Sequence, residues 1–166
     1  MFKKIKPRSS NQEWFFEDYQ EGTFIEIGPV YVEQDDLMEF ALRYDPQPMH
    51  IDHEASKKGP YKGLIASGWQ TCALVMRELV KNYFSPSSSL GSPGIDELKW
   101  LKPVRPGDRL TVRATILETK LSRSKTDRGL VRTLVEALNQ QNEKVVSFKA
   151  LNFMLLSKYY REKTLN

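Results

Sequence analysis

The sequence predicts a single α+β domain in which an antiparallel β-sheet wraps around one long buried helix. Three observations predict it. The segment "GWQTCALVMRELVKNYF" (68–84) sets Trp69, Cys72, Ala73, Met76, Leu79, Val80 and Tyr83 at helical intervals, with Leu74 and Val75 widening the stripe. A helix apolar around most of its girth belongs in a core. The second half of the chain carries alternating, β-rich segments strung by hairpin-length connections, the pattern of antiparallel pairing. A length of 166 residues with 40% hydrophobic content suits one core.

The elements follow in order. No apolar run of signal-peptide length follows the basic opening "MFKKIKPRSS", so residues 1–13 read as a flexible tail. "TFIEIGPVYV" (23–32) alternates as a strand, interrupted near Gly28-Pro29. In "EQDDLMEFALRYD" (33–45), Leu37, Phe40, Ala41 and Tyr44 share a helical face behind an acidic first turn. Pro46 disfavours helical geometry at Asp45, so that helix stops at about Tyr44. Asp52 is placed to cap a short helix through "HEASKK".

The Ser, Pro and Gly of "SPSSSLGSPG" (85–94) make a loop between the helical and strand-rich halves. Strands are expected at 97–104, 109–121, 130–139 and 144–156. "LVEAL" alone would suit a helix, but its β-branched neighbours place it in a strand. The apolar face of such a sheet needs a cover, and only the 68–84 helix is apolar enough to supply it. The domain is expected over 14–157, with a polar C-terminal tail at 158–166.

Composition narrows the function classes. Cys72 is the only cysteine, which excludes an intrachain disulfide. With His50 and His53 the only histidines, no Cys/His metal site is expected, and no metal or resident cofactor is assigned. No stretch approaches the roughly 20 apolar residues of a membrane span, so a cytoplasmic protein without a membrane partner is expected. The formal charge of +4 mildly favours anionic partners. The bases are scattered among acids, which speaks against nucleic acid.

Two stretches carry candidate chemistry. In "DPQPMH" (45–50), Pro46 and Pro48 fix their own φ angles and bias Asp45 and Gln47 toward extended geometry. Asp45 and His50 are thereby separated by a stiff connector, which lowers the entropic cost of holding them together if they converge. In "SGWQ" (67–70), Ser67 and Gln70 fit a capping box at the start of the long helix. Gly68 then lies in the first turn, where N–H groups lack helical partners and a ligand can approach the bare backbone. An acid, an imidazole and a carbonyl-polarising amide suit proton transfer at the α-carbon of a thioester, with water adding or leaving at the β-carbon. Ser67 is engaged as a cap and Cys72 lies on the helix, so no nucleophile stands out.

These residues resemble the MaoC-like dehydratases, or (R)-specific enoyl-CoA hydratases, whose fold is the hot-dog. The family's hydratase motif runs Asp, any residue, Asn, Pro, aliphatic, His, with a small residue soon after; here it reads "DPQPMH" with Ala55 following. The family's His-Gly at the helix start stands as Ser67-Gly68, and "LKPVRPGDRL" resembles the strand-turn before the long strands. The likeness spans about residues 14 to 157.

The resemblance implies that Asp45 and His50 are the catalytic pair and that the Gly68 amide binds the thioester carbonyl. Gln47, Pro48, Ser67, Trp69 and Met76 would shape the pocket. Gln47 departs from the motif's Asn, and Met76 stands at a position that is serine in some hydratases. The implied substrate is an acyl-CoA thioester, with Lys102, Arg105, Arg123 and Lys125 as candidates for its phosphates. The family also implies a homodimer joined sheet edge to sheet edge. A non-catalytic acyl-CoA-binding or regulatory protein would not need the Asp/His pair. A thioesterase would want a carboxylate on or beside the central helix, where only Glu78 appears.

Overall fold

In a computed structural model, which describes residues 2–164, six strands form one sheet. These are β1 (Lys3–Lys4), β2 (Thr23–Tyr31), β3 (Gly94–Trp100), β4 (Arg109–Leu121), β5 (Arg128–Leu138) and β6 (Lys144–Leu155), in the order β1-β2-β4-β5-β6-β3. All neighbours pair antiparallel except β1 and β2. Five α-helices and a 3-10 turn (Phe16–Asp18) accompany them: α1 (Gln34–Tyr44), α2 (Pro48–Ile51), α3 (His53–Lys58), α4 (Gly68–Asn82) and α5 (Ser157–Thr164). This is the hot-dog arrangement, with α4 as the wrapped helix.

Alternation decides which face of the sheet meets α4. Val112, Ala114 and Ile116 of β4, Val131 and Val135 of β5, and Phe148 and Met154 of β6 are buried in one core with Leu74, Val75 and Leu79 of α4. Each such side chain contributes roughly 1.5–3 kcal/mol by leaving water. The break near Gly28-Pro29 is a register shift between Ile27 and Val30. Gly28 holds φ +142°, and a Cβ there would sit 2.8 Å from the Leu110 carbonyl, so only glycine fits.

The structure corrects four expectations. First, α4 is not buried around its girth: Trp69, Met76 and Val80 are 59%, 45% and 52% exposed. They fall at i, i+7 and i+11 on the face turned away from the sheet, and an apolar pattern does not reveal whether a second layer covers that face.

Second, residues 2–13 are tied to the domain. β1 pairs with β2, and buried Arg8 binds the last turn of α4 through the carbonyls of Val80 and Lys81. These anchors are remote in sequence, which no local pattern discloses.

Third, the polar C-terminal tail expected at 158–166 is helical over Ser157–Thr164, and residues 165–166 lie outside the described residues. Fourth, β3 runs Gly94–Trp100 instead of 97–104, leaving the proline-bearing residues after Trp100 outside the ladder.

Candidate functional site

Asp45 ends α1: its N–H still bonds the Ala41 carbonyl, but its φ of −151° leaves the helix. Gln47 is extended, and Pro48 then opens the single turn of α2, a position where a missing N–H costs nothing. The stiff connector therefore folds back on itself after Gln47. His50 comes to lie with Nε2 3.4 Å from Asp45 Oδ2, the imidazole buried and the carboxylate partly exposed. Asp52 caps α3 by accepting from the N–H groups of Glu54 and Ala55.

Each member of the pair is held from behind. His50 Nδ1 lies 2.8 Å from the Ile65 carbonyl. A carbonyl only accepts, so the neutral ring carries its proton on Nδ1 and turns the Nε2 lone pair toward Asp45. Asp45 Oδ1 accepts from Gln47 Nε2 at 2.7 Å, and Oδ2 accepts from Ser67 Oγ at 2.7 Å. The bonds from Gln47 and then Ser67 hold the Asp45 carboxyl below the usual carboxylate range.

Ser67, fully buried, also accepts from the Trp69 N–H as the cap of α4. One hydroxyl thus links the helix start to the acid. The capping box does not form: Gln70 Oε1 is buried with no hydrogen-bond partner.

Gly68 makes room for an indole as well as for a ligand. A Cβ on it would lie 2.6 Å from the Trp100 ring. Trp100 packs edge-on against Trp69, with centroids 5.3 Å apart. Asp45, His50 and Gly68 border a cavity of about 380 Å³, with Ile65, Val145 and Trp100 among its apolar walls. Sequence reasoning missed Trp100, because nothing in "ELKWLKPV" announces contact with a glycine 32 residues earlier.

Of the other sequence-predicted residues, Gln47, Trp69 and Lys102 line this cavity. Pro48 shapes it only through α2, and Ser67 only through Asp45 and Trp69. Met76 does not line it and stands on the exposed face of α4. Lys102 pairs with Glu143 at 2.5 Å. Arg105 lines a second cleft. Arg123 and Lys125 sit in the β4–β5 turn and line neither space.

Glu78 pairs with Arg77 and Lys81 and is absent from the cavity wall. Burial pushes the Cys72 thiol up, which suits packing more than nucleophilic attack. Among the described residues, no three His, Cys, Asp or Glu side chains group so as to hold a metal ion. No described helix is long and apolar enough to cross a membrane.

Comparison with known proteins bears on the family and the fold. Residues 19–140 match the family model described as "MaoC like domain". The fold is similar to that of a MaoC-like dehydratase from Rhodospirillum rubrum, with TM-score 0.80, 35% identity, and 86% of this chain and 97% of that one covered. It is also similar to a monoamine oxidase regulatory protein from Archaeoglobus fulgius (0.78, 27%, 92% and 99%). The unliganded R-hydratase PhaJ1 from Pseudomonas aeruginosa matches at 0.69, with 26% identity and 86% and 85% covered.

Proposed function

The chain belongs to the MaoC-like dehydratase family, and from that premise we propose that it hydrates trans-2-enoyl-CoA thioesters to (R)-3-hydroxyacyl-CoA and runs the reverse dehydration. The observation that carries this reading is the Asp45–His50 pair, 3.4 Å apart and facing one cavity with Gly68.

In the hydration direction, a water between Asp45 Oδ2 and His50 Nε2 gives a proton to Nε2 as its oxygen bonds the β-carbon. The double-bond electrons move toward the thioester carbonyl, whose developing negative charge is met by the Gly68 N–H at the start of α4. His50 then delivers the proton to the α-carbon, so the elements of water end on adjacent carbons. Asp45, kept ionised by Gln47 and Ser67, orients the water and stabilises the imidazolium. The Nδ1 bond to Ile65 keeps the ring in the tautomer that can accept.

Crotonyl-CoA tests this directly. Loss of the conjugated thioester without release of thiol, with (R)-3-hydroxybutyryl-CoA as product, is the expected outcome. Free thiol would instead mean a thioesterase, and an unchanged substrate would mean a binding or regulatory protein.

The outer face of α4 and edge strand β3 leave Trp69, Met76, Val80 and Ile95 exposed. We infer that a second copy covers them, because an uncovered edge beside an apolar stripe invites pairing. Sedimentation at assay concentration should give a dimer or larger assembly, and a monomer there would overturn the inference.

A further inference from the structure

A second cleft, of about 310 Å³, lies behind the catalytic cavity and is lined by His53, Lys57, Lys62 and Arg105, with no carboxylate among its lining residues. We propose that this cleft holds the phosphate groups at the nucleotide end of the CoA substrate. The proposal rests on the thioester reading above and adds where the carrier is gripped.

The cleft's positive charge is poorly cancelled. Arg105 spends its guanidinium on the neutral carbonyls of Tyr61 and Leu64, at 2.5 and 3.4 Å. Lys57 pairs with Glu54 at 2.8 Å, but both side chains are mostly exposed, and such pairs hold their partners weakly. Lys62 has no ion pair among the described residues and sits at φ +56°. That conformation costs an L side chain roughly 1–2 kcal/mol, so a lysine occupies a position that glycine would fill without strain. Of the acids beside the lining residues in sequence, Asp52 caps α3 and Asp108 accepts from the Arg105 N–H and from Gln140, while Glu33 and Asp35 flank Gln34.

The two spaces share one wall. Tyr61, Ile65 and Val104 border the catalytic cavity, while their chain neighbours Lys62, Leu64 and Arg105 border the cleft. The Ala66 N–H bonds the Val104 carbonyl at 2.7 Å and closes the wall. Ile65, which holds His50, is three residues from Lys62, at most about 11 Å of chain. On this proposal the pantetheine arm runs past Tyr61, which borders the cavity next to Lys62 of the cleft.

The test compares crotonyl-CoA with crotonyl-pantetheine, which lacks the nucleotide phosphates, on the wild type and on the double variant Lys57→Glu/Lys62→Glu. The KM for crotonyl-CoA should rise on the order of tenfold or more, while kcat and the KM for crotonyl-pantetheine stay put. Lys62→Arg should keep the wild-type KM. Equal shifts for both thioesters, or no shift for either, would overturn the proposal. If the wild type hydrates neither, calorimetry with adenosine 3′,5′-bisphosphate decides. Binding that the double variant loses would sustain the cleft and sink only the hydratase reading; no binding by the wild type would sink the cleft.

Discussion

The two ends of α4 face the same problem and meet it in opposite ways. A helix leaves N–H groups without partners at its start and carbonyls without partners at its finish. At the finish, Arg8 donates to the carbonyls of Val80 and Lys81, its own N–H bonds Asn82, and the Tyr19 hydroxyl bonds Tyr83. A buried cation at a helix C-terminus also suits the dipole. At the start, Ser67 accepts from Trp69 alone, Gln70 leaves its oxygen unpaired, and Gly68 faces a cavity. The sealed end fixes where the helix lies. The open end borders the cavity, and under the proposed function its Gly68 N–H meets the thioester carbonyl.

The comparison can be broken or sharpened by substitution. The largest effect belongs to the pair at the open end. Asp45→Asn and His50→Ala should each lower kcat by roughly a hundred- to ten-thousand-fold, with circular dichroism and melting little changed. Wild-type rates in both variants would remove the assignment.

The next contrast sets the two ends against each other. Ser67→Ala should cut kcat by roughly ten- to a hundredfold, since it strips a hydrogen bond from a charged group. The sign with pH follows from Asp45. Its carboxyl is held low, so the stability it lends is present above the unfolded value of about 3.9 and lost as pH falls through the folded one. Without Ser67 the folded value rises, so the acid limb of the rate profile should move to higher pH. Arg8→Ala should do the reverse of Ser67→Ala in kind: about 2 kcal/mol less stability by denaturant melt, with kcat unchanged. Loss of turnover in Arg8→Ala at a temperature where it is folded would erase the distinction between the ends.

What the chain disclosed beforehand was local. Alternation placed β4 at 109–121 with both bounds, and Ser67 before Gly68 marked the start of α4. Pro46 ended α1 at Tyr44, and β-branched neighbours kept "LVEAL" in β5. Asp45 and His50 stood out as candidates because two prolines stiffen the stretch between them, and the resemblance to the family motif made them a pair.

What stayed hidden depended on distance along the chain. The Ser67–Asp45 bond spans 22 residues and the Arg8–Val80 bond 72. The site of Met76 was misread for a related reason: helical period assigns residues to faces but does not say which face meets the sheet. Among the basic residues, His53, Lys57 and Lys62 went unmarked, since a cluster assembled from a helix and the loop after it leaves no block of charge in the sequence.

The shared partition between the two hollows has a consequence for variation. Along 61–65, Tyr61 and Ile65 serve the catalytic cavity and the three residues between them serve the cleft, so deleting one residue there would pull the two linings out of step. The length of that segment is therefore constrained more tightly than its composition, and homologues should tolerate exchanges within it far better than indels.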